Sequence, residues 1–116
     1  MMPKEGILRF LLIVSLFVLA ALPVHAAPMV SGSYYHHKFE GRPMACGGQY
    51  DGEELTAASN HYPCGSLVRV SRGERSVIVQ ITDRCGRCGI DLSVAAAREI
   101  GLKYIGRAPV RVERLD

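Results

Sequence analysis

The sequence predicts an all-β fold, a compact barrel of short strands with one or two short helices. Three observations carry that expectation. Ser66–Arg72, Ser76–Thr82 and Ala108–Leu115 are short runs rich in β-branched residues. Glycine-rich loops separate them. Only one stretch, Val94–Ile100, carries helix-start and helix-stop signals, and it is two turns long.

The chain begins with a segment that belongs to targeting rather than to the fold. Lys4 and Arg9 precede an apolar run from Phe10 to Leu22, and Val24 and Ala26 stand where a signal peptidase reads small residues. The run is shorter than the roughly 20 residues that cross a bilayer. Residues 1–26 are therefore expected to be a cleaved signal peptide. The first cysteine is Cys46, too far on for a lipid anchor, so no stable membrane anchor is expected after cleavage. Residues 27–116 form the single domain. The expected location is outside the cytoplasm, periplasmic or secreted. The whole-chain charge of +3 is mild and interspersed, which argues against nucleic acid as a partner.

Within the domain, Ser31–Phe39 mixes aromatic and polar residues and suits a strand. Glu40–Glu54 is loop. Leu55–Gly65 holds one helical turn or a short strand, ended by Pro63. In Ser66–Arg72 the residues Leu67, Arg69 and Ser71 share one face, Val68 and Val70 the other. Arg72-Gly73-Glu74 is a turn, and Ser76–Thr82, nearly apolar on both faces, returns as the second arm of a hairpin. Ser93 is the N-cap of the helix and Gly101 its stop. Ala108–Leu115 closes the chain as a strand.

All four cysteines, Cys46, Cys64, Cys85 and Cys88, lie in the exported part, so two disulfides are expected, in one of three connectivities. A four-thiolate zinc site would want a second CxxC pair. A redox dithiol would want its CxxC at a helix N-terminus, whereas Gly89–Leu92 intervene here. No metal and no cofactor are expected.

The order of motifs is more telling than any one of them. SGSYYHHKFEGRPMACGGQYD is followed by LTAAS and YPCGSLVRV, then SVIVQITDRCGRCGIDLSVAAAREIG, then GRAPVRVE. From Ser31 to Glu113 this resembles the rare lipoprotein A (RlpA)-like double-psi β-barrel family, which is related to the first domain of expansins and to barwin-like proteins. The resemblance implies a six-stranded barrel with a groove for peptidoglycan or another wall polysaccharide, acting as a monomer. In the bacterial relatives the groove cleaves glycan strands by lytic transglycosylation; in expansin-like relatives it loosens walls without hydrolysis; some barwin-like relatives inhibit proteases. Expansin-like pairing implies Cys46–Cys64, leaving Cys85–Cys88 as a tight bridge, while barwin-like pairing ties Cys46 to Cys85 or Cys88.

Lytic transglycosylation uses the sugar's own 6-hydroxyl as nucleophile. One carboxylic acid can protonate the leaving oxygen and then receive the hydroxyl proton, provided partial burial keeps it protonated at the start. By the resemblance Asp83 is that acid, in the position of the family's D-R-G-P aspartate. Asp51, Ser59, His61, Tyr35 and Arg84 are expected in the groove, with Tyr34 and Tyr62 as other stacking candidates and Arg42 and Arg87 as other contacts to acidic sugar substituents. Asp91 is expected to be structural, binding loop or helix N-terminal amides beside Ser93. Two departures stand out: Gly48 replaces the family's glutamate, and Ser59 replaces its histidine, for which His61 on the same face of an extended segment is the nearest substitute.

Overall fold

The computed structural model describes residues 27–116; the expected signal peptide lies outside the described residues. Six strands close into a barrel: β1 (Met29–Tyr34), β2 (Thr56–Ala58), β3 (Leu67–Arg72), β4 (Arg75–Asp83), β5 (Ile90–Leu92) and β6 (Ala108–Arg114). Around the barrel they run β1-β5-β2-β4-β3-β6. The pairs β1–β5 and β2–β4 are parallel, and the remaining pairs are antiparallel. One helix, α1 (Val94–Glu99), and two 3-10 turns, His37–Phe39 and Leu102–Tyr104, complete the domain. The expected six-stranded double-psi barrel is what forms.

The hairpin of β3 and β4 is dictated by its residues. Val68 and Val70 point inward and are fully buried, while Leu67 and Arg69 face out. Gly73 takes the left-handed conformation (φ 58°) that a two-residue hairpin turn demands. The expectation that β4 is apolar on both faces is corrected: Val77, Val79 and Ile81 are buried, but Ser76, Ile78 and Gln80 face solvent. A barrel strand has one core face, and Ile78 is simply an exposed apolar residue on the other.

Three further boundaries differ from expectation. β1 starts at Met29 and stops at Tyr34, because His37–Phe39 forms a 3-10 turn capped by His36, whose Nδ1 accepts the Lys38 N–H. Within Leu55–Gly65 the short strand is β2, Thr56–Ala58, which ends at Ala58 rather than at Pro63. Ile90–Leu92, expected as an intervening loop, is β5, a full barrel strand. Three residues are too few for periodicity to show, yet Ile90 and Leu92 are completely buried.

The core runs through the barrel from Val68, Val79 and Ile81 to Ile90, Leu92 and Val110. Helix α1 adds Ala96 and Ala97, with Ile100 and Leu102 just beyond it. A second small cluster of Tyr35, Tyr50 and Ala58 lies at the other side of β2. Between the two, the β2–β4 ladder is irregular: Ala57 pairs with Ile81, but Ala58 pairs with Asp83. The extra residue, Thr82, breaks the ladder at the end of β4 and re-aims the next side chain. Asp83 therefore leaves the barrel wall toward the second cluster.

Candidate active-site cavity

Asp83 is held on both carboxylate oxygens. Oδ1 accepts the backbone N–H groups of Ala45 and Arg84, each at 2.8 Å, and Oδ2 accepts the Tyr35 hydroxyl at 2.6 Å. Tyr35 is itself fixed. Its ring stacks on Tyr50 with centroids 4.2 Å apart and meets Phe39 edge-on at 5.9 Å. Burial first, then the bond to Asp83, pushes the Tyr35 phenol far above its ordinary range, so it acts as a hydrogen-bond donor at all ordinary pH. The Tyr50 hydroxyl accepts the Val94 N–H at 3.3 Å, which ties the aromatic stack to the start of α1.

These side chains wall a cavity of about 430 Å³ that also takes in Arg42, Arg84, Cys85 and Asp91. Asp91 is the departure from expectation. Among the described residues it binds no loop or helix N-terminal amide; its carboxyl accepts the Ser33 hydroxyl at 3.1 Å and faces the same cavity as Asp83. Its pKa lies above the usual carboxylate range, chiefly because it is buried; the Ser33 bond and the charge of Arg107 pull down, and the charge of Asp83 adds to the rise. Ser93, by contrast, serves the helix: buried, it caps α1 by accepting the Ala96 N–H and donates to the Glu54 carbonyl at 2.6 Å.

The loop after Asp83 is strapped down. The cysteines pair as Cys46–Cys64 and Cys85–Cys88, and no free thiol remains among the described residues. Asn60 clasps Cys85 from both sides, donating to its carbonyl at 2.6 Å and accepting its N–H at 3.1 Å. Arg84 lines the cavity, but its guanidinium is spent on the loop opposite, donating to the carbonyls of Ser59 at 2.7 Å and Tyr62 at 2.8 Å. It is a clamp between loops. Arg42 is the freer cation, resting over the Phe39 ring at 5.3 Å.

Three expected groove residues stand elsewhere. Asp51 is exposed and closes its own turn, Oδ1 accepting the Glu53 N–H at 2.9 Å. Ser59 is fully buried, its hydroxyl accepting the His61 N–H, and does not line the cavity. His61 is exposed outside the cavity lining. The extended geometry that would have put it beside Ser59's face stops at Ala58, where β2 ends. Gly48, where a glutamate was expected, has a left-handed backbone (φ 73°) that a glutamate would strain. Tyr50 and Phe39 join the site without having been expected there. Nothing in QYDG or HKF marks an aromatic stack; only the return of residues 41–50 on themselves, through the paired Gly41–Tyr50 and Tyr50–Arg42 backbone bonds, reveals it.

Known proteins share this fold or much of this sequence. A family model described as "Lytic transglycolase" matches residues 28–112. The endolytic peptidoglycan transglycosylase RlpA of Pasteurella multocida is 51% identical over 90 residues, covering 72% of this chain and 30% of its own. The same-named protein of Haemophilus influenzae is 46% identical over 88 residues, 72% of this chain and 31% of its own. The chain thus spans about a third of those relatives. An uncharacterised Synechocystis protein, ssl3177, is 41% identical over 87 residues and is covered almost whole, at 96%. Among solved structures, a Streptomyces papain inhibitor superposes with TM-score 0.65 at 24% identity, over 81% of this chain and all of its own. A Clavibacter michiganensis expansin superposes with TM-score 0.63 at 23% identity, over 79% of this chain and 51% of its own. The last two share the fold; the matched sequence model and the RlpA relatives share the family, and the chain belongs to the RlpA-like double-psi β-barrel family.

Proposed function

We propose that this domain is exported, binds glycan strands of peptidoglycan in the Asp83–Asp91 cavity and cleaves them endolytically to 1,6-anhydro-muramic ends. The observation that carries the reading is a pair of carboxyl groups on one cavity whose walls are aromatic. Flat apolar faces suit sugar rings, and the carboxyls suit proton transfer on either side of the glycosidic bond.

The roles divide by environment. Asp91, whose burial favours the neutral form, is the donor to the leaving glycosidic oxygen. Asp83 receives the proton from the 6-hydroxyl as that oxygen attacks the anomeric carbon. Three donors occupy its oxygens, which leaves an acceptor position on Oδ2. The glycosidic bond breaks, the intramolecular C1–O6 bond forms, and no water is consumed. This shares between two residues the task that the sequence assigns to Asp83 alone. Arg42 is placed to meet the acidic substituent of muramic acid. The test is mass spectrometry of peptide-free glycan strands after incubation with residues 27–116: anhydro-muramic ends support the reading, and their loss in Asp83→Asn or Asp91→Asn assigns the residues.

A second reading has its own observation. Gly48 and buried Ser59 stand where the family places a glutamate and a histidine, so the chain lacks two polar groups that the resemblance puts in a lytic groove. A wall-binding domain that does not cut, as in expansin-like relatives, would sediment with insoluble wall polymer and create no new ends.

A further inference from the structure

At the far end of β4 from Asp83, two arginines converge, and neither makes an ion pair among the described residues. Arg72 and Arg75 are direct cross-strand partners on either side of the Gly73-Glu74 turn. Both fold over Gly101, just after α1. A Cβ placed on Gly101 would stand 2.8 Å from Arg75 Nη1 and 3.2 Å from Arg72 Nη1, so the two nitrogens lie within roughly 6 Å of each other, close enough for like charges to repel appreciably. Directly opposed like charges destabilise a hairpin. The ion pairs among the described residues are Arg69–Glu113, Arg98–Glu53 and Arg114–Asp116; neither Arg72 nor Arg75 takes part. Glu74 borders the same hollow and makes no ion pair among the described residues. Arg72 spends one N–H on the Ile100 carbonyl at 3.1 Å, which fixes its guanidinium at the negative end of α1 and leaves its other donors open.

We propose that this hollow is a binding site for a phosphate group, as a mono- or diester, distinct from the cleavage cavity. Two guanidinium forks approaching from different strands can each engage a separate oxygen edge of a tetrahedral anion, whereas one fork suffices for a carboxylate. A bound phosphate would relieve the Arg72–Arg75 repulsion. The Tyr104 ring, 91% exposed at the rim, offers a flat face to whatever carries the phosphate. The site shares no lining residue with the Asp83 cavity. It sits the length of β4 away, roughly 25 Å for nine residues, so a ligand here tethers the domain without covering the glycan. The inference stands whether or not the cavity cleaves.

The test is an amide NMR titration of residues 27–116 with inorganic phosphate, against chloride at matched ionic strength. Saturable shifts confined to Gly73, Glu74, Arg75, Gly101 and Tyr104 are expected. Arg75→Gln should weaken binding roughly tenfold, the share of one charge-assisted hydrogen bond. Glu74→Gln, which removes an opposing charge, should tighten it. Arg75 donates no side-chain hydrogen bond to the rest of the fold among the described residues, so its loss should leave the thermal midpoint in place. Co-sedimentation with phosphatidylglycerol vesicles and with a polyglycerol-phosphate polymer then separates a lipid headgroup from an anionic wall polymer. Shifts that fail to saturate, that spread evenly over basic residues, or that Arg75→Gln leaves unchanged overturn the proposal.

Discussion

Asp83 is fixed by three donors, and the one that a mutation can remove cleanly is the Tyr35 hydroxyl. Tyr35→Phe keeps the ring against Tyr50 and Phe39 and deletes only the bond to Oδ2. A hydrogen bond of this kind contributes about 1–2 kcal/mol, so thermal unfolding should show a loss of that order and the rate of anhydro-end formation should fall. A variant as stable and as active as wild type would show that Asp83 needs no such support. Asp91 makes a pH prediction with a definite sign. Its folded pKa lies above the unfolded carboxylate value, with burial the main cause. The native state therefore binds more protons in the window between the two values. The stability it contributes is full below the ordinary carboxylate pKa, near 4, and is lost as pH rises through its raised folded value. Asp91→Asn should flatten that decline. Thermal midpoints of both proteins across acidic to neutral pH check it, and parallel curves would refute it.

At the scale of elements, helix α1 shows what a short sequence signal can and cannot carry. Ser93 before an apolar run and Gly101 after it mark the helix ends, and both hold; Gly101 is left-handed at φ 70°. β5 was invisible because its strand identity comes from parallel pairing with β1, through Gly32–Ile90 to Tyr34–Leu92, and not from any periodicity of its own. Asp91 lies in that strand between buried Ile90 and Leu92, which turns it to the opposite face from them and into the cavity. That is why a residue expected to anchor a helix stands in the site instead. Ser93→Ala should cost about 1–2 kcal/mol as a lost N-cap and leave the Glu54 carbonyl without its Ser93 donor. For a domain of this size a loss of each kcal/mol lowers the melting temperature by roughly 4–8 °C. A midpoint within about one degree of wild type, well below that range, would mean that the cap is dispensable.

Across the whole molecule, the barrel was legible and the groove was only half so. Alternation in Ser66–Arg72 and Ala108–Leu115 depends on neighbours along the chain, which a sequence displays. Placement of Asp51, Ser59 and His61 depends on where loops fold back, which it does not. The two bridges differ in what they do for the fold. Cys46–Cys64 spans a separation of 18 residues and Cys85–Cys88 only 3. Removing the first by paired serine substitution should cost about 3 kcal/mol and lower the melting temperature strongly. Removing the second should move it little and instead loosen the Arg84–Gly86 edge of the cavity, visible as reduced glycan binding. Equal effects on melting would contradict that division.

The central claim is that the cavity between Asp83 and Asp91 cuts glycan strands. The measurement that meets it most directly is the count of 1,6-anhydro-muramic ends released from peptide-free strands by residues 27–116, beside Asp83→Asn at matched folding. The account predicts new anhydro ends with the wild-type chain and none above background with the variant. Strands that bind but gain no ends with wild type, or equal ends from both proteins, would contradict it.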